Sequence, residues 1–316
     1  MKIFLLILGC LSSTSLWATL SCSFSNTALD FGNVNLLSNA PIDAMGTLGI
    51  SCSGGAAHGT VTVCIDYNGG SGGMDISGDP RSMLNGSSAL QYNIFTDHAR
   101  SVRWGSSTIV GSNPESLHLT LDSGGHISTS VQTYGRIYAS QTLLPIGSYS
   151  SMFSGGDTRV GYSDTYSNCT DVFHHGHLDT ASFSTHAHYA GSCTISTNPI
   201  AFGTLSRTQH TIASTTFTVT CSNLLHYTIG LNHGTGEGVT DPAERVLTHS
   251  NGHTITYGLY HDASHTQPWG DAPTNRTGLQ VGTGYEQNFT VYGKVPLQTN
   301  IHDGHHSDTV TILVHY

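Results

Sequence analysis

Lysine is almost missing from this chain: Lys2 and Lys294 are the only two among 316 residues. All charged residues together make up 9% of the sequence, against about 25% in ordinary globular proteins. That scarcity excludes coiled coils and long solvated helices, whose polar faces are built from Glu, Lys and Arg. The charge present runs acidic, with 20 Asp and Glu against 10 Lys and Arg and a formal net charge of −10. No nucleic-acid partner is expected, because neutralising phosphates needs clustered basic side chains. No apolar run approaches the ~20 residues of a membrane-spanning helix, so a soluble product is expected. No two cysteines are separated by two residues, the spacing of a zinc ribbon. Neither His-Glu-x-x-His nor a Gly-Lys-Ser/Thr phosphate loop occurs. Gly69-Gly70-Ser71-Gly72-Gly73 fits Gly-x-Ser-x-Gly, but it sits in a glycine loop, not at a strand-to-helix elbow. An enzyme, a cofactor and a defined metal site are therefore not expected.

At about 150 residues per domain, the length points to two domains. Met1-Lys2, an apolar run over residues 3–8 and Ala18 read as a secretory leader, residues 1–18, cleaved near Ala18. A competing reading takes Ile7-Leu8-Gly9-Cys10 as a lipoprotein processing site that would leave a lipid on Cys10. Beyond the leader stand six cysteines, at 22, 52, 64, 169, 193 and 221. An even number after a leader indicates disulfides formed in an oxidising compartment, with 15 possible pairings.

A long internal repeat narrows the choice. Cys22 is followed nine positions on by Phe31-Gly32, and Cys193 by Phe202-Gly203. Cys52 and Cys221 then end alternating runs. Arg81-Ser82-Met83-Leu84 matches Arg245-Val246-Leu247, and Leu90-Gln91-Tyr92-Asn93-Ile94-Phe95 matches Ile255-Thr256-Tyr257-Gly258-Leu259-Tyr260. Trp104-Gly105 matches Trp269-Gly270, and Tyr134-Gly135-Arg136-Ile137 matches Tyr292-Gly293-Lys294-Val295. So many landmarks in one order mean duplication, and the period is too long for a solenoid. Equivalent positions pair Cys22 with Cys52 and Cys193 with Cys221. Cys64 and Cys169, found only in the first unit, are then left for each other.

Runs such as Thr60-Val61-Thr62-Val63-Cys64-Ile65 and Thr309-Val310-Thr311-Ile312-Leu313-Val314 alternate, with Gly, Asn and Asp clusters between them. No helical period stands out. Short alternating strands, a disulfide and Tyr and Trp at core-facing places indicate an all-β protein of two Ig-like β-sandwich domains. The boundaries expected are 19–178 for the first domain, 179–191 for a linker and 192–316 for the second. The wider stretch 171–191 reads as connector, although Ala181-Ser182-Phe183-Ser184 alternates as part of a strand would.

The order Cys, Phe-Gly, Cys, Arg-x-x-Leu, Tyr-x-(Ile/Leu), Trp-Gly, Tyr-Gly-(Arg/Lys) resembles the spore coat protein U domain. The second unit follows it throughout; the first departs after Tyr149, where a Gly-rich insert and Cys169 appear. The resemblance implies a subunit of an archaic, Csu-type chaperone–usher pilus. It implies that the C-terminal sandwich is incomplete and is completed by a donor strand. A periplasmic pilus chaperone would fill the groove first. A neighbouring pilin subunit would then donate a strand during assembly through the outer-membrane usher, by strand addition at an open edge. With cleavage after Ala18, only Thr19, Leu20 and Ser21 precede Cys22, about 10 Å of chain. Such a subunit accepts a strand without donating one, and so belongs at the pilus tip on the cell surface. Two-domain members of the family are similarly tip adhesins for surface attachment and biofilm formation.

Four residues of the last strand, Val310, Ile312, Val314 and Tyr316, share one face and are expected beside the acceptor groove. The alternative is a closed sandwich whose last strand is already paired. Two apolar loops are candidates for contact with an abiotic or host surface: Leu36 and Leu37, and Leu143, Leu144 and Ile146 running on to Phe153. The competing reading makes them core residues at strand ends. Histidine numbers 20, with clusters at 174, 175 and 177, at 186 and 188, and at 302, 305 and 306. These either bind a metal or protonate near pH 6.5, or reflect composition alone. Other functional readings are a shaft or coat subunit without a binding role, and a secreted carbohydrate-binding module.

Overall fold

Alternating side chains on a pleated backbone face opposite sides, and this periodicity builds nearly the whole chain. The computed structural model describes residues 19–109 and 111–316; the expected leader and Cys10 lie outside the described residues. β1 (Ser21–Asn26) and β2 (Leu29–Val34) lead into β3 (Ile42–Ser53), which buries Ala44, Leu48, Ile50 and Cys52. Next come β4 (Thr60–Ile65), β5 (Arg81–Asn85), β6 (Ser88–Phe95) and β7 (Glu115–Thr120). They are followed by β8 (Ile127–Ile137), β9 (Gly147–Phe153) and β10 (Arg159–Ser163). After a short helix α1 (Cys169–His175), β11 (His177–Thr180) and β12 (Phe183–Tyr189) finish the first half. Its two sheets have the orders β1-β3-β8-β6-β5-β9-β12-β2 and β11-β10-β4-β7.

The second half contains β13 (Cys193–Thr197), β14 (Thr211–Cys221), β15 (His226–Leu231) and β16 (Arg245–His249). It continues with β17 (Thr254–Tyr260), β18 (Gln280–Val281), β19 (Glu286–Val295), β20 (His306–Ser307) and β21 (Ile312–His315). Its sheets run β13-β14-β19-β17-β16-β20 and β18-β15-β21. The expected all-β architecture of stacked sheets is therefore present. Among the described residues no helix is long and apolar enough to cross a membrane.

The repeated landmarks are structural devices. Cys22 faces Cys52 and Cys193 faces Cys221 across neighbouring strands, with Cα separations of 4.0 and 4.1 Å, and both pairs are disulfides. Cys64 is bonded to Cys169, which ties α1 to β4. Trp104 and Trp269 are buried and donate their indole N–H to the carbonyls of Ile65 and Ile229. Gly135 and Gly293 stand where Phe31 and Phe202 cross the sheet; a Cβ on either would lie 2.8 Å from the phenyl ring. The Phe-Gly and Tyr-Gly landmarks thus form one contact.

Two expectations are corrected. Residues 171–191 are not a connector and 179–191 are not a linker: β11 and β12 extend the first half's sheets, which run to Tyr189 and not to 178. β12 buries Phe183, Thr185, Ala187 and Tyr189, while the exposed His186 and His188 blur the alternation in sequence. α1 also lies here, in a region where no helical period could register over seven residues. The Asn168 side chain caps it by accepting from Asp171 N, and the disulfide pins it.

Candidate functional site

The two halves differ most at one sheet position. In the first, β12 lies between β9 and β2, antiparallel to β9 (Phe183 opposite Phe153, Tyr189 opposite Gly147) and parallel to β2. Its inward side chains fill the space between the layers. Phe183 stacks on Phe153 with centroids 4.5 Å apart and meets Tyr67 at 4.9 Å. Thr185 Oγ1 donates to Tyr92 Oη at 3.1 Å.

In the second half, β20 pairs with β16 as β9 pairs with β5, and β21 pairs with β15 as β10 pairs with β4. Phe202 occupies the place of Phe31, but residues 198–210 form no strand. Among the described residues this half has no counterpart of β12. Between the Phe202 segment and residues 301–310 lies a cavity of 1120 Å³. Its floor is apolar, with Phe217, Leu231, Ile255, Leu259 and Val291, all buried members of the second core. Ile200, Phe202 and Leu205 line one wall, and Ile301, Val310 and Ile312 the other.

Polar groups gather along the second wall. Asp308 accepts from Tyr257 Oη at 2.6 Å and from Thr235 N and Oγ1 at 2.7 Å each. Burial pushes its carboxyl up, but these bonds and that from Thr309 N outweigh burial and hold it below its ordinary value. Burial, reinforced by the bond to Asp308, raises the Tyr257 hydroxyl. His302, His305 and His306 line the same rim.

Of the residues expected beside the groove, Val310 and Ile312 line the cavity. Val314 pairs with Ile229 and packs half-buried on the second core, whereas Tyr316 is 65% exposed and away from the cavity lining. The lining contributed by Ile200, Phe202 and Leu205 escaped the sequence reading. Their offset from Cys193 matches that of Leu29, Phe31 and Val34 from Cys22, and aligning the repeats would have found them.

The two apolar loops are partly buried. Leu36 is buried in a one-turn 3-10 helix, and Phe153 is buried against Phe183. Leu144 packs on the first core, and Ile146 packs on both cores. The 143–146 loop is the joint between the halves: Asn223 Nδ2 donates to Leu143 O at 2.6 Å, and Pro145 bridges to Asn223. Leu37 is half-buried and Leu143 is 47% exposed. Apolar side chains in a loop mark burial at a junction as readily as exposure, and both occur here. Among the described residues, no group of three or more His, Cys, Asp or Glu side chains is placed to hold a metal ion.

No curated protein matches the sequence. Among solved structures, the fold is similar to the CsuC–CsuE chaperone–tip adhesion subunit pre-assembly complex from archaic chaperone–usher Csu pili of Acinetobacter baumannii. That match has 15% identity and a TM-score of 0.56, covering 94% of this chain and 100% of that one. The CupB6 tip adhesin of Pseudomonas aeruginosa matches at 13% identity with a TM-score of 0.37, covering 93% of this chain and 94% of that one. The family model described as the Spore Coat Protein U domain matches twice, over residues 9–154 and 179–313, one match on each copy of the disulfide and tryptophan landmarks. With both halves matched, this chain belongs to the Spore Coat Protein U domain family.

Proposed function

We infer that the chain is a non-enzymatic tip subunit, an adhesin, of a chaperone–usher pilus, and that its second half accepts a strand from another subunit. One observation carries this reading: the second half holds an apolar cavity of 1120 Å³ at the sheet position that β12 fills in the first. An extended segment with alternate inward side chains satisfies both the open backbone edge and the apolar floor. Left uncovered, such an edge invites aggregation. A periplasmic chaperone therefore covers it before a neighbouring pilin does, with export through an outer-membrane usher. The tip assignment rests on the other end of the chain. Leu20 is buried and β1 begins at Ser21, so the described residues just before Cys22 are held in the first sandwich. The likeness in fold to a tip subunit captured with its chaperone is consistent with this. Contact with a surface, and the biofilm role that follows, is assigned to the end of the first half away from the joint. There the loop tied to β9 through Ser71 N and Met152 O carries Ile76, 93% exposed.

Periplasmic co-expression with the cognate chaperone tests the reading. A one-to-one complex is expected, with the chain aggregating when expressed alone. Joining a copy of the β12 sequence, residues 183–189, through a flexible linker after Tyr316 should give a soluble monomer that no longer needs the chaperone. An unmodified chain that is a stable monomer by itself overturns strand acceptance. Mass spectrometry of the mature protein should find its start near Thr19. A free extension ahead of Cys22 overturns the tip position.

A further inference from the structure

Two histidines face each other directly across β16 and β20: His249 and His306 are register partners. Their ring centroids lie 5.2 Å apart with the planes at 47°. In both rings Nδ1 is engaged, His249 with Asn251 Oδ1 at 2.6 Å and His306 with the Gly304 carbonyl at 3.2 Å. A carbonyl oxygen only accepts, so His306 carries its proton on Nδ1. Asn251 holds His249 Nδ1 from two sides, through its Oδ1 and through its backbone N, which donates to Nδ1 at 3.2 Å, while Asn251 Oδ1 also accepts from His253 N at 3.2 Å. That leaves Nε2 as the lone-pair nitrogen of His306 and as the ring nitrogen of His249 that Asn251 does not engage. His306 Nε2 is buried with no hydrogen-bond partner. His249 Nε2 lies over Gly304, where a Cβ would come within 2.5 Å of it.

A buried polar nitrogen without a partner costs free energy and calls for an explanation such as an ion. A ring whose Nδ1–H is held by an oxygen and whose Nε2 is free is the arrangement that orients histidine as a metal ligand. An ion ~2.0–2.1 Å from each Nε2, at a tetrahedral angle, places the two ring centroids roughly 5 Å apart, the separation seen here. The first half argues the same way by contrast. Leu84 pairs with Ser150 as Thr248 pairs with Ser307, so Asn85 and Tyr149 hold the places of His249 and His306. There Tyr149 Oη simply donates to Pro145 O at 2.7 Å.

The geometry points to a divalent transition-metal site in the second half, with His249 and His306 Nε2 as protein ligands and water completing the coordination. Imidazole donors select Zn²⁺, Cu²⁺ or Ni²⁺ over Mg²⁺ and Ca²⁺. Bound there, the ion cross-links β20, the two-residue strand in the cavity wall, to the β16–β17 hairpin. The neighbouring pair His253 and His302 does not share this geometry. Its rings stack face to face, 3.5 Å apart at 9°, so their lone pairs lie in parallel planes and do not converge.

Calorimetric titration of the full chain in its chaperone complex with ZnCl₂ at pH 7.5, with MgCl₂ and the chaperone alone as controls, tests the site. One Zn²⁺ per chain should bind and raise the melting temperature, with no response to Mg²⁺. His249→Asn and His306→Tyr install the residues that the first half carries, and each should weaken binding by at least about tenfold. The double variant His253→Ala, His302→Ala should keep it. In the unmodified chain, Cu²⁺ should broaden the His249 and His306 ring resonances ahead of the other histidines, a readout that does not depend on any variant folding. Absence of binding up to millimolar Zn²⁺, affinity unchanged in both single variants, or broadening that starts elsewhere overturns the site.

Discussion

A buried arginine is the residue on which each half turns. Arg245 donates from Nε to Asn232 O at 2.8 Å and from Nη2 to Leu231 O and Trp269 O at 3.1 and 2.8 Å, while Arg81 does the same with Asn68, Tyr67 and Trp104. A planar fork can hold three carbonyls from two segments at once; an ammonium point charge cannot. Arg245→Lys should therefore strand backbone carbonyls and lower the unfolding free energy by about 2 kcal/mol in urea melts. The repeat made Arg81 and Arg245 legible as equivalent positions, but nothing in the sequence showed that their partners are carbonyls. Asp308 gives the pH counterpart. Its folded carboxyl lies below the ordinary value of 3.8, so its stabilising contribution is present above that pH and is lost as pH falls through the folded value. Asp308→Asn should melt below the unmodified protein at pH 7, and the gap should narrow as pH is taken below 3.8. A gap that stays constant to pH 3 would assign the loss to packing and not to ionisation.

Among elements, β12 separates a closed half from an open one. Phe183 is buried between Phe153 and Tyr67. Phe183→Ala removes most of a ring from a filled core and should cost about 3–5 kcal/mol of first-half stability. A two-step thermal melt should record it as a shift of one transition, with the second-half transition in place. Strands with a clean alternation, such as β4 and the run leading to β21, were legible because one face is apolar throughout. β12 was only half legible, since Phe183, Thr185, Ala187 and Tyr189 are inward but two are small or polar, and histidines fill the outer face. The first half's loss of family resemblance after Tyr149 has the same origin. The insert, α1 and its disulfide carry the chain across the 159–180 region before β12 returns to the first sheet.

At the scale of the whole molecule, the joint decides how the closed and open halves behave together. Two halves were legible from the duplicated landmarks, but the joint was not, because Leu143, Leu144 and Ile146 read equally well as an exposed fingertip. What makes them a joint is long-range: Ile146 N donates to Asn223 O at 3.4 Å, Asn223 Nδ2 donates to Leu143 O, and Ser192 Oγ donates to Asn35 Oδ1 at 3.2 Å. Ile146 is the apolar side chain shared by both cores. One shared side chain and a few hydrogen bonds make a small interface, of the kind that permits relative motion when loosened. Each half keeps its own core and disulfides, so loosening the joint should barely change either half's stability. The double variant Ile146→Ser, Asn223→Ala should lower each melting transition by no more than the equivalent of about 1 kcal/mol. In small-angle scattering the same variant should show a larger radius of gyration and a broader distance distribution. Unchanged scattering would mean that the remaining contacts, the Ile146 N–Asn223 O backbone bond, residues 142–143 against Gly284, Ser192 with Asn35 and the short 190–192 link, hold the halves in place.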